Sequence, residues 1–242
     1  MSNPVFSETT FEKAGYSPNA DHMTVNGSIM KTFILGLVFI MTSFAVIAYA
    51  PNFYGSIREV IIVSVIAAFV VGMIISFKPT TAPVLSVVYA VLESIFVTVL
   101  SILLNQQYNG IVFEAVTYTM IAFFTMLILY RIGVIKATET FKSVIITATA
   151  AIAVSYLILF ICSFFGIRPY WFYGNSSLSI GINAVIIVVA ALNLILDFDF
   201  IEKGSSMQMP KYMEWYAAFG LIVTIIWLYL EILRILSKIK SR

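Results

Sequence analysis

The chain of 242 residues carries 12 acidic side chains, and the ones that could do chemistry are those set within apolar runs. Glu93 stands near the middle of one run, in Tyr89-Ala-Val-Leu-Glu93-Ser-Ile-Phe96. A carboxylate at bilayer depth costs about 2.5–3.5 kcal/mol on insertion scales, so it faces a cavity or a partner. Two readings of Glu93 stand: an ion or proton ligand in a water-lined interior, or a neutral acid hydrogen-bonded to a neighbouring helix. Asp197 and Asp199 end a later run, in Ala191-Leu-Asn193-Leu-Ile-Leu-Asp197-Phe-Asp199-Phe-Ile-Glu202. Glu214 follows Lys211 at the start of the last run. With a rise of about 1.5 Å per residue, Asp197 and Glu214 each come within roughly 5–8 Å of the same membrane face. Two carboxylates sharing one low-dielectric site cannot both ionise cheaply. Such a pair would make a pH-sensitive latch, or a candidate Ca²⁺ site, because hard cations take oxygen ligands. The plainer reading is a wet helix end with ordinary solvated acids.

Helical geometry sorts these acids. Asp197 and Asp199 are about 200° apart on a helical wheel and face opposite ways. Asn193 and Asp197 are four residues apart and share a face, which aims that face inward. Asp197 is therefore the interior candidate, and Asp199 belongs at the headgroup level. Lys78, at the end of the second run, lies on the same membrane side and reads as a counter-charge or as a snorkelling interface anchor. Glu231 and Arg234 read as an intrahelical pair near the interface of the opposite side. The charges between Arg131 and Lys142 read as a solvated loop.

The elements that must position these groups are helices across a bilayer. Hydrophobic residues make up 61% of the chain and charged residues 11%, against about 45–50% and 25% in soluble domains. Apolar runs occur at Thr32–Ala50, Glu59–Phe77, Val84–Leu104, Gly110–Tyr130, Ser143–Phe165, Leu178–Leu196 and Met213–Ile235. Each is close to the roughly 20 residues that a transmembrane helix needs. The expectation is an all-α, polytopic, seven-helix bundle spanning residues 31–242, preceded by a flexible polar tail over residues 1–30. That tail has no apolar stretch of the kind a cleaved signal peptide requires.

Helix-breaking residues mark the connections: Pro51-Asn52, Lys78-Pro79, and Asn105 through Gly110. Aromatic clusters at Phe53-Tyr54, at Tyr170 through Tyr173, and at Tyr212, Trp215 and Tyr216 fit an interfacial belt. With seven spans, eight of the 14 basic residues fall on the N-terminal side, which favours a cytoplasmic N-terminus. The absence of a visible internal repeat weighs against an inverted-repeat transporter.

Several function classes drop out. A net charge of +2 offers no footprint for nucleic acid. The single cysteine, Cys162, excludes an intrachain disulfide and a thiolate metal cluster, and the single histidine, His22, excludes multi-histidine zinc sites. No HExxH, GxSxG or GxGxxG spacing occurs, so no enzyme and no cofactor is expected.

Four stretches resemble the Bax inhibitor-1 family, also called the transmembrane BAX inhibitor motif or YccA-like family, in its bacterial branch. They are Met23-Thr-Val-Asn-Gly27 with Lys31-Thr32, Tyr89 through Glu93, Ala191 through Glu202, and Pro210 through Gly220 running into Trp227–Arg234. The resemblance covers nearly the whole chain. It implies a bundle with a central last helix, a cytoplasmic N-terminus, the cell (inner) membrane as location, and a pH-sensitive calcium leak. In the family the leak is controlled by paired aspartates on the last two helices. Asp197 matches the first of these. Alignment on Trp227–Arg234 places Thr224 where the second is expected, and Thr224 cannot hold charge; Glu214 lies at the right face but roughly three turns away. Two functions are carried forward: a leak for cations (Ca²⁺, H⁺), and a non-transporting regulator of a membrane protease or of a stress or cell-death pathway.

Overall fold

The computed structural model describes residues 21–49, 57–167 and 169–242. Eight helices follow in order: α1 (Val25–Tyr49), α2 (Ile57–Phe77), α3 (Ala82–Gln107), α4 (Ile111–Arg131), α5 (Glu139–Phe164), the short α6 (Tyr170–Tyr173), α7 (Ser177–Ser206) and α8 (Met213–Lys240). Among the described residues there is no strand. All but α6 are long and apolar enough to cross a membrane, and together they make the all-α, seven-span architecture. The outward faces are apolar, as a lipid-facing surface requires: Phe44 on α1, Phe69 on α2, Phe113 on α4 and Phe160 on α5 are all exposed. Over its most apolar stretch α8 is 61% buried and α7 50%, against 6–17% for α1, α2, α4 and α5. The last helix is the most enclosed.

Helix ends differ from the apolar runs in ways the local chemistry explains. The first helix starts at Val25 rather than Thr32, because Thr24 behaves as an N-terminal cap: its hydroxyl accepts the Gly27 N–H at 2.9 Å. Of the tail expected over residues 1–30, residues 1–20 lie outside the described residues, as do the turn expected at Pro51-Asn52 and the Phe53-Tyr54 pair, whereas the chain is helical from Val25 on. α7 continues about one turn through the expected loop at Glu202-Lys203 and stops at Ser206, with Gln208 in the left-handed region at φ 52°. Gly110, at φ 81°, makes the tight turn into α4 that a residue with a Cβ would resist. Thr138 caps α5 by accepting the Phe141 N–H. Tyr216, expected at the interface, is wholly buried.

The chain forms two compact units. One contains α1–α3 with Asp199–Val223; the other contains Tyr108–Phe198 with Thr224–Arg242. In the first, α1 and α2 both pack on α3. That helix repeats a small residue every fourth position, at Ala82, Ser86, Ala90 and Ser94, each wholly buried. Small residues let helix backbones approach closely where no hydrophobic effect separates helix from lipid. The serine hydroxyls donate back to their own helix, Ser86 to the Ala82 carbonyl and Ser94 to that of Val91, so no polar group is stranded.

This packing generates a prediction. Ala90→Leu should lower the unfolding free energy in detergent by about 1–3 kcal/mol through overpacking, whereas Val84→Leu on the exposed side of the same helix should leave it unchanged.

Candidate functional site

In the unit formed by Tyr108–Phe198 and Thr224–Arg242, polar side chains gather along the contact between α7 and α8. On α7, Ser179, Asn183, Asn193 and Asp197 fall on one stripe, with Ile186 and Ala190 between them, and all six are buried. On α8, Thr224, Glu231 and Lys238 recur at heptad spacing and are likewise buried. The pairings step in opposite directions along the two helices, as antiparallel packing demands: Asp197 with Thr224, Asn183 with Glu231, and Ser179 with Lys238. In the middle of the seam Ile186 belongs to an apolar cluster with Leu159 and Phe172, against which Trp227 of α8 packs.

At one end lies Asp197, 1% exposed. The Thr224 side chain interacts with its carboxyl group, yet not in full hydrogen-bond geometry, and neither carboxyl oxygen has a hydrogen-bond partner. Asn193, one turn away, donates to the Thr149 hydroxyl on α5 and to the Val189 carbonyl, both at 2.8 Å. An ionised carboxylate in such surroundings is costly unless a proton or a cation balances it.

At the other end Glu231 is the hub. Its carboxylate accepts from the Tyr156 hydroxyl at 2.5 Å, Asn183 Nδ2 at 3.2 Å, Arg234 Nη1 at 3.1 Å and Trp227 Nε1 at 3.3 Å. Arg234 also donates to the Tyr156 hydroxyl at 2.6 Å and lies over the Tyr156 ring. The sequence reading anticipated the Glu231–Arg234 pair. It did not anticipate Tyr156, Asn183, Ser179 or Lys238. The signal for three of them was present in the shared α7 stripe and the heptad step from Glu231 to Lys238; for Tyr156, one aromatic in an apolar run, there was none.

The unit containing α1–α3 holds the remaining candidates. Glu214 is wholly buried and accepts from both the backbone N–H and the hydroxyl of Thr24, at 3.0 and 2.9 Å. Lys211 at 3.2 Å and Lys31 at 3.8 Å supply opposite charge. The Met23 N–H donates to the Met209 carbonyl and the Lys211 N–H to that of Asp21, so residues 21–24 are strapped to the segment before α8. Gly27 makes the strap fit, because a Cβ there would stand 1.9 Å from Glu214 Oε1. Asp199 pairs with Lys203 at 2.9 Å on a half-exposed face, away from the inward stripe. Glu93 is half-buried and interacts with the Tyr89 side chain one turn before it, which itself packs edge-on against Phe219. Lys78 is exposed in the turn between α2 and α3. Among the described residues no three histidine, cysteine, aspartate or glutamate side chains converge into a group able to hold a metal ion.

The contrast between these ion pairs is measurable. Glu231→Gln should cost about 2–3 kcal/mol of unfolding free energy, because it leaves Arg234 uncompensated beside Tyr156. Asp199→Asn should cost less than about 1 kcal/mol, since its partner Lys203 is solvated. Denaturation of the two variants side by side checks this.

Sequence comparison agrees with this architecture. A family model described as Bax inhibitor 1 like matches residues 3–241. No curated protein matches the chain, and no solved structure does. Seven membrane-length helices, an enclosed last helix and a family match over nearly the whole length lead to one conclusion: the chain belongs to the Bax inhibitor 1 like family and is a multi-pass membrane protein.

Proposed function

We propose that the chain is a calcium-permeable leak protein of the cell (inner) membrane, with a cytoplasmic N-terminus, whose conductance follows the protonation of Asp197. The observation that supports this reading is the state of that carboxyl group: buried, with both oxygens lacking a hydrogen bond and a neutral threonine beside it. A structural carboxylate in a helical interior normally has its donors built in, as Glu231 does. Asp197 has a neutral threonine beside it and no donor in bonding geometry, and on this reading its charge is balanced by something that comes and goes, a proton or a passing cation. The role envisaged for Glu214 is narrower than that of a gate, because Thr24, Lys31 and Lys211 already engage its carboxylate. Glu93, with Tyr89 as neighbour, is a further acidic group envisaged as a cation ligand.

Calcium uptake into proteoliposomes across a pH series tests this. The wild-type rate should change with pH, and Asp197→Asn should flatten that dependence while Asp199→Asn retains it. An Asp197→Asn variant with the wild-type profile would contradict the proposal, and no uptake by any variant would favour a non-transporting regulator of a membrane protease or stress pathway.

A further inference from the structure

The seam ends at Lys238, which is 6% exposed. A lysine in the last turn of a helix would ordinarily extend its head to water; this one turns inward. Its ammonium donates to the Phe172 carbonyl at 2.6 Å, Ser179 Oγ at 2.6 Å and Asn183 Oδ1 at 2.5 Å, which uses all three of its protons. The Phe172 ring lies beneath it at 5.4 Å. The three acceptors are neutral, and each is aimed by another bond. Ser179 donates its own proton to the Phe172 carbonyl, which leaves its lone pairs toward the ammonium. Asn183 gives its NH₂ group to Glu231, which turns its carbonyl oxygen the other way. Phe172 is held by α6, whose other side chains Tyr170, Trp171 and Tyr173 are exposed.

Neutral oxygens arranged over an aromatic face suit a weakly hydrated monovalent cation. A divalent ion would call for carboxylate ligands, and none is in this cage. We propose that Phe172, Ser179 and Asn183 form a monovalent-cation site of the ammonium type, and that its resident cation is the tethered head group of Lys238. The lysine thereby closes this end of the α7–α8 seam and pins α6 over it, whether or not the chain conducts calcium.

Purified protein in detergent tests the site by thermal unfolding, with propylammonium chloride, which replaces the deleted stem and head, and with 1-propanol as its uncharged counterpart. Lys238→Ala should rise in Tm by about 3 °C in propylammonium over N-methylglucamine chloride at equal ionic strength, and not in propanol. Wild type should respond to neither. If Lys238→Ala is unfolded without additive, recovery by propylammonium alone supports the site. Adding Ser179→Ala and Asn183→Leu should abolish the response. An equal effect of propanol, no effect of either compound, or a response that survives loss of Ser179 and Asn183 would overturn the proposal.

Discussion

A polar side chain within a helix that crosses hydrocarbon must find its partner inside the protein, and this requirement organises the chain more than any other. Lipid offers neither hydrogen bonds nor charge compensation, and helices gain little from hiding apolar surface that lipid would cover equally well. What makes α7 and α8 partners is therefore their shared stripe of buried polar groups. Glu231 shows the constraint fully met: Tyr156, Asn183, Trp227 and Arg234 all donate to one carboxylate. Asp197 shows it left open, with neither oxygen bonded. The same seam holds a satisfied acid at one end and an unsatisfied one at the other, and the function proposed for Asp197 rests on that difference.

The unit built on α1–α3 meets the requirement differently. Its long helix α3 uses small residues whose hydroxyls fold back onto their own backbone, so close packing is achieved with few side-chain bonds between helices. Among the described residues its one deeply buried acid, Glu214, fastens the chain before α1 to the start of α8. Gly27 belongs to that fastening as much as Thr24 does, because the space its Cβ would take is filled by the carboxylate. A group that reads in the sequence as half of a latch thus has the surroundings of an anchor.

The seven spans were legible from apolar run length alone, and the inward direction of Asp197 followed from its four-residue spacing to Asn193. The extra turn of α7 was not, because Glu202 and Lys203 resemble a loop until the Asp199–Lys203 pair is seen to continue the helix. The cluster around Glu231 was half legible. Its intrahelical arginine lies three residues on, but Tyr156 is 75 residues away, and single aromatic or amide residues in an apolar run carry no mark of which helix they will meet. Long-range pairing is a property of packing, and one sequence does not display it.

Glu231, Asn183 and Lys238 act as one network, in which the Asn183 side chain donates to Glu231 and accepts from Lys238. A double-mutant cycle on unfolding free energy with Glu231→Gln and Lys238→Met measures this directly. A coupling of about 0.5–3 kcal/mol is expected, and it should shrink when the cycle is repeated with Asn183→Leu. Additive effects of the two substitutions, or a coupling indifferent to Asn183, would contradict it.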